Sequence, residues 1–225
     1  MENTWDAFWA SAAPDVRGHG AEAREYVRRL EREVPFDRST RVLDYGCGFG
    51  FVAAALAPRV DALTLWDKHE QVRRQARAAV ASHAHVRVLD ALPTSPLPAP
   101  ERFDLILVNS VVQYMTPDEL AAALLTWSHL LAADGRLVLS DLIPPGHRSW
   151  RDVLALLRFQ PLAQLRRLGS ELRRYAGARS QTALRPVDPD DLARRAAGAG
   201  LRTERLPRNL THFGQRYAVV LRPTR

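Results

Sequence analysis

The chain has 225 residues, 46% of them hydrophobic, and a formal net charge of +7, which gives enough apolar material for a sizeable core and excludes a disordered chain. It contains no apolar run of the about 18 residues that would span a bilayer, and its one cysteine, Cys47, excludes an internal disulfide and a cysteine-based zinc site. Every basic residue except Lys68 is an arginine. With abundant alanine and no basic low-complexity tail, that bias reads as GC-rich coding rather than as a nucleic-acid footprint. Glu2 and Asp6 near the start, with no apolar stretch beside them, argue against a signal peptide and make a cytoplasmic location the default expectation.

Trp5, Phe8 and Trp9 share one face of a short predicted helix, which either packs on the core or closes over a ligand. Residues 21–34 predict an amphipathic helix, with Tyr26, Val27 and Leu30 inward and arginines outward, ended by Pro35. Arg41, Val42 and Leu43 then lead into Asp44, and Gly46, Cys47, Gly48, Phe49 and Gly50 follow Tyr45. A short apolar run predicts a buried parallel strand, and alternating glycines predict a tight turn where backbone approaches a ligand. The segment after the turn, residues 49–57, predicts a helix whose N-terminus favours an anionic or polar group. Cys47 fits as a small packing residue, since no base stands beside it in sequence.

The dinucleotide fingerprint requires glycine at the first, third and sixth positions. Counted from Gly46, the sixth position is Phe51. The pattern is instead Asp-x-Gly-x-Gly-x-Gly from Asp44, which resembles motif I of the class I S-adenosylmethionine-dependent methyltransferases. The resemblance implies that Asp44 reaches the methionine amino group of S-adenosylmethionine, and that Tyr45, Gly46, Cys47 and Gly48 line its amino-acid end.

The following elements extend the resemblance. Residues 60–66 predict a second strand ending at Asp67, which lies 21 positions after Gly46, close to the roughly 20-residue interval of a ribose-binding acid. The family gives Asp67 that role, with Lys68 beside it. Residues 68–82 predict a helix, and residues 86–89 a third strand ending at Asp90. The resemblance makes Asp90, Ala91 and Leu92 the expected adenine edge. Pro93, Pro96, Pro98 and Pro100 predict a stiff linker.

Residues 103–109 predict a fourth buried strand, followed by Asn109, Ser110, Val111, Val112, Gln113 and Tyr114 at the family's motif IV. Base-modifying relatives carry two prolines where Val111 and Val112 stand. Metal-dependent O-methyltransferases carry an acid where Asn109 stands. Both departures imply a metal-free enzyme with a small-molecule acceptor. The resemblance itself places Asn109 and Ser110 against the cofactor. Thr116, Pro117, Asp118 and Glu119 predict a strong helix start, the helix running to about residue 133. Residues 136–141 predict a fifth strand, and residues 201–206 and 216–221 a terminal hairpin preceded by a helix beginning at Asp188.

The expected fold is therefore α/β: a doubly wound, mostly parallel seven-stranded sheet with an antiparallel last strand and a helical insertion after strand five. One domain covers 1–225, with an N-terminal helical segment over 1–36 and an inserted cap over 144–185. The insertion reads as two amphipathic helices split by Pro161, suited to a cap, a dimer interface or a core extension. His147 and His212 are the candidate general bases, since histidine titrates near neutrality, and Tyr114 is the candidate residue for orienting the acceptor. No metal site is expected, and the sequence leaves the oligomeric state open. Three other uses of such a chain are an RNA methyltransferase, a nicotinamide-dependent oxidoreductase, and a module that binds the cofactor without turnover.

Overall fold

The computed structural model describes residues 16–93, 97–98, 101–147, 152 and 184–224. Helix α1 (Val16–Glu33) leads into strand β1 (Arg41–Tyr45), α2 (Phe51–Leu56), β2 (Ala62–Trp66), α3 (Glu70–Ala79), β3 (Val86–Val88) and β4 (Phe103–Asn109). Then come α4 (Pro117–Leu130), β5 (Leu131–Leu142), α5 (Pro189–Gly198), β6 (Leu201–Arg205) and β7 (Tyr217–Pro223). The seven strands form one sheet in the order β3-β2-β1-β4-β5-β7-β6. All neighbours from β3 to β5 are parallel, and β7 runs antiparallel to both β5 and β6. The doubly wound sheet with its antiparallel strand is the architecture read from the sequence. The expected N-terminal aromatic helix and nearly all of the expected cap lie outside the described residues.

Strict alternation along the strands splits the core into two layers. Val42, Leu105 and Leu107 face α1, α2 and α3, where Tyr26, Leu30, Leu56 and Ala76 are buried. Leu43, Ile106 and Val108 face the other way, onto Leu124 and Trp127 of α4 and Leu192 of α5. Because both faces are covered, these strands read as continuous apolar runs. Among the described residues no helix is long and apolar enough to cross a membrane.

The two helices with strong cap signals start where the sequence says they should. Thr116 accepts from the Glu119 backbone N–H while the Glu119 carboxylate accepts from that of Thr116, a complete capping box with Pro117 at the first helical position. Asp188 caps α5 through the N–H groups of Asp190 and Asp191. Other boundaries moved: α1 begins at Val16, five residues before the expected start, β5 begins at Leu131 rather than at residue 136, and α4 ends at Leu130, about three residues before the expected stop. Leu131 leaves the helix because it pairs with Phe103 of β4 across an irregular register and is 1% exposed. The segment then bends so sharply that a Cβ on Gly135 would lie 2.8 Å from the Leu131 side chain.

Candidate active site

The strand order reverses between β1 and β4, and crevices beyond the carboxyl ends of strands at such a switch point bind ligands. A cavity of about 710 Å³ lies there. The turn after β1 supplies its floor. Gly46 and Gly48 both have positive φ, and a Cβ on Gly46 would come 2.4 Å from Val111 Cγ2. The chain can therefore pass under Val111 only as glycine. The Gly46 and Cys47 N–H groups both donate to the Trp66 carbonyl, at 2.7 and 3.1 Å, which ties the turn to the end of β2.

Asp44, the last residue but one of β1, lines this cavity and is 2% exposed. Burial, and then the neighbouring Asp67 charge, push its carboxyl up from 3.8 to about 7. Its Oδ2 is buried without a hydrogen-bond partner among the described residues, an arrangement that costs stability unless a donor arrives. The sign follows from the raised value. The folded state holds the proton more tightly than the unfolded chain, so the stabilisation is full below about 4 and is lost as pH rises through about 7. Asp44→Asn should therefore raise the melting temperature of the ligand-free protein by several degrees at pH 8, with the gain shrinking toward pH 5. An equal gain at both pH values in scanning calorimetry would contradict this electrostatic account.

Asp67 follows β2, and its carboxylate is held in place on both oxygens. Oδ2 accepts from the Gly48 N–H at 3.1 Å and Oδ1 from the His69 N–H at 3.0 Å. Each oxygen keeps a lone pair for a ligand hydroxyl. Arg73, 9% exposed, donates to the carbonyls of Asp67 and Lys68 at 2.8 and 3.1 Å and so fixes the backbone behind the acid. No sequence signal marked Arg73, since its partners are backbone atoms one helical turn away.

The remaining expected residues divide. Tyr45, Cys47, Lys68, Leu92, Asn109, Ser110, Tyr114 and His212 all line the cavity. Tyr45 packs on Trp66 and Trp127 with ring centroids 4.7 and 5.1 Å away, and burial pushes its hydroxyl up to about 12. Burial also pushes the Cys47 thiol far above its ordinary range, so it is no nucleophile at neutral pH. Asp90 points outward, its side chain 80% exposed and paired with Arg77 at 2.6 Å. Of the adenine trio, only Leu92 is on the cavity wall; neither Asp90 nor Ala91 is among the lining residues. His147 is also not among them; it is buried against Asp152, with Nε2 3.0 Å from a carboxylate oxygen.

A buried polar hub that sequence reasoning did not single out braces the far wall. Asp141, at the end of β5, has a φ of 65° and Ser110 a φ of 57°, strained values for non-glycine residues. They hold each other through Ser110 Oγ, which donates to Asp141 Oδ2 at 2.7 Å. The other Asp141 oxygen accepts from Thr211 Oγ1 at 2.8 Å, and Arg216 bridges Asp141 and Asp152 at 2.5 and 2.7 Å. Arg29 of α1 donates to the Thr211 carbonyl at 2.6 Å. The only signal available was an acid at the end of a buried strand, the same position as Asp44 and Asp67.

Comparison with known proteins agrees with this geometry. Residues 42–135 match a family profile described as a methyltransferase domain. The chain is 28% identical over 152 residues to a malonyl-[acyl-carrier protein] O-methyltransferase of Enterobacter lignolyticus, covering 65% of this chain and 58% of that one. It is 36% identical over 123 residues to a probable non-canonical nonribosomal peptide synthetase, CymA, of Salinispora arenicola, covering 52% of this chain and 2% of that protein. The chain thus spans little more than half of one curated relative and a small part of the other. Among solved structures, the magnesium protoporphyrin IX methyltransferase of Synechocystis with bound S-adenosylhomocysteine superposes with a TM-score of 0.59 at 17% identity, over 97% of this chain and 92% of that one. Over residues 42–135 the chain thus matches a methyltransferase domain, and the glycine turn under Val111 and the switch in strand order both lie within that stretch.

Proposed function

We propose that the chain methylates a small-molecule acceptor, with S-adenosylmethionine bound at the Asp44–Gly48 turn and the acceptor held in the same cavity. The observation that carries the reading is the unpartnered Asp44 Oδ2 buried beside the glycine turn. A primary ammonium is a donor suited to that oxygen, and it would return Asp44 to its charged form. Asp67 faces the same space with its orientation set by Gly48 and His69, which supports assigning it to the two ribose hydroxyls. When bound, the cofactor supplies an electrophilic methyl group and leaves as a neutral thioether. The protein's own part is then to position the acceptor about 3 Å from the methyl group and to keep water away.

Asp67→Ala should weaken S-adenosylhomocysteine binding by about 1.5–3 kcal/mol, since it deletes charge-assisted bonds to two hydroxyls. Calorimetry on wild type and variant tests the reading, and a wild type that binds no cofactor would end it. The transfer is proposed to be metal-independent. Asn109 lacks the carboxylate that hard cations prefer, and its Oδ1 already accepts from Ser140 Oγ at 2.9 Å. Turnover should survive a chelator; loss in chelator with rescue by magnesium would refute the point.

Part of the arginine surface is neutralised locally. Arg38, Arg41, Arg59 and Arg195 each pair with a carboxylate, on Asp61, Asp104, Glu31 and Asp191. Locally neutralised arginines make a poor phosphate track.

A further inference from the structure

The bend at Gly135 borders a second cavity, of about 510 Å³, lined by Ala133, Asp134, Gly135, Arg202, Arg222 and Pro223. It lies toward the start of β5, away from the active site. Arg136 stands five residues before Asp141 on β5, so about 16 Å of strand separates this end from the hub that braces the active site. None of the residues lining the second cavity lines the first.

Three strands bring three arginines into one row here. Arg202 of β6 is the register partner of Arg222 of β7, and side chains directly opposite across an antiparallel pair share a face. On the other edge of β7, Leu221 pairs with Leu137 of β5. That sets Arg136 beside Arg222, and the two charges act on each other. Like charges in direct opposition destabilise a sheet. Only the Arg136 end of the row is relieved. Arg136 donates to the Pro35 carbonyl, and the Asp104 and Asp37 charges favour its charged form. Burial, and then the Arg222 charge, hold its pKa below the ordinary arginine value, yet a guanidinium stays charged at neutral pH. No carboxylate among the described residues forms an ion pair with Arg202 or Arg222. The acid on the cavity wall is Asp134, one carboxylate against two guanidiniums with Arg136 adjacent. The row therefore differs from Arg38, Arg59 and Arg195, each of which holds a carboxylate.

We propose that Arg202 and Arg222, with Arg136 beside them, form a binding site for the phosphoryl group of a small ligand, separate from the active site. A guanidinium presents a planar fork of N–H donors that matches a pair of phosphoryl oxygens. Two forks on neighbouring strands, with Cβ atoms about 5 Å apart, reach one phosphoryl group from two sides or two linked groups together. A bound dianion also removes the repulsion within the row, so occupancy relieves a cost that the ligand-free sheet carries. A longer polyanion finds no continuation of the positive charge. Arg41, which shares Asp104 with Arg136, is held by that carboxylate through bonds of 2.9 and 2.8 Å, and Arg38 is paired with Asp61. The site stands independently of the methyltransferase reading.

The test is a calorimetric titration of the full chain with sodium pyrophosphate at low, constant ionic strength, with citrate and a single-stranded RNA as comparison probes. Melting temperatures are measured on the same samples. Pyrophosphate should bind at one site and raise the melting temperature, and citrate, an anion without phosphoryl geometry, should bind more weakly. Arg202→Gln and Arg222→Gln should each weaken pyrophosphate binding at least about 10-fold, because each removes charge-assisted hydrogen bonds. Both should leave S-adenosylhomocysteine affinity unchanged. Without pyrophosphate, Arg222→Gln should melt at or above the wild-type temperature, since it removes the like-charge opposition; a merely structural arginine would lower it. Arg195→Gln, whose partner is Asp191, should bind pyrophosphate as the wild type does. No binding of pyrophosphate, binding unchanged in both row variants, or citrate bound as tightly as pyrophosphate would overturn the inference. So would RNA bound more tightly than pyrophosphate with a steep salt dependence, which would make the row part of a polyanion surface.

Discussion

Gly46→Ala lowers the affinity for S-adenosylhomocysteine by at least about 100-fold, roughly 2.7 kcal/mol. Two independent costs combine. Gly46 has a φ of 74°, which an alanine adopts only at a cost of order 1–3 kcal/mol. The new methyl would also come 2.4 Å from Val111 Cγ2, inside van der Waals contact, so either Val111 or the turn must move. Val111 follows β4 and lines the cavity, and the turn is bonded to the Trp66 carbonyl through Gly46 and Cys47. Movement of either partner displaces cofactor-facing backbone. Adding Val111→Ala removes the clash and leaves the strained φ, so the double variant should recover part of the loss. Equal affinities for the single and double variants would show that the clash does not decide the effect. Thermal melting on the same samples separates loss of binding from loss of fold.

Arg216→Met destabilises the protein by about 3–5 kcal/mol, which in a chain of this size lowers the melting temperature by about 6–20 °C. The guanidinium is 2% exposed and bridges two carboxylates that are themselves nearly inaccessible, at 2.5 Å on Asp141 and 2.7 Å on Asp152. Removing it leaves two buried carboxylates without the cation between them, Asp141 still accepting from Ser110 and Thr211 and Asp152 beside His147. Breaking a buried pair on one side is costly; replacing all its members with apolar residues is often neutral. Arg216→Met combined with Asp141→Asn and Asp152→Leu should therefore melt closer to wild type than Arg216→Met alone. A single variant that melts within about two degrees of wild type would mean that the cluster is solvated in solution.

The parts of the fold legible in sequence were those with local causes. The capping box at Thr116 and Glu119 and the Asp188 cap are set by residues three positions apart or fewer, and both helices start there. The two-faced burial of β1 and β4 was written in their continuous apolar runs. The end of α4 was misread because the cause is distant: Leu131 leaves the helix for Phe103, a partner on another strand. The site divides the same way. Asp44, Gly46, Gly48 and Asp67 carry a fixed spacing along the chain, and all line one cavity. Asp90 was an equally regular strand-end acid, yet β3 lies at the sheet edge and Arg77 draws its carboxylate outward. Glu22, Asp141 and Thr211 come from three distant segments, and their convergence on the loop carrying His212 has no sequence period to reveal it.

The central claim is methyl transfer to a small molecule from a cofactor held at the Asp44–Gly48 turn. The most direct measurement is the fate of isotope label from methyl-labelled S-adenosylmethionine incubated with the protein and a whole-cell extract, fractionated by size and class. The account predicts label in low-molecular-mass organic products, lost in Gly46→Ala. Label confined to RNA, or no transfer into any fraction by a wild type that binds the cofactor, would contradict it.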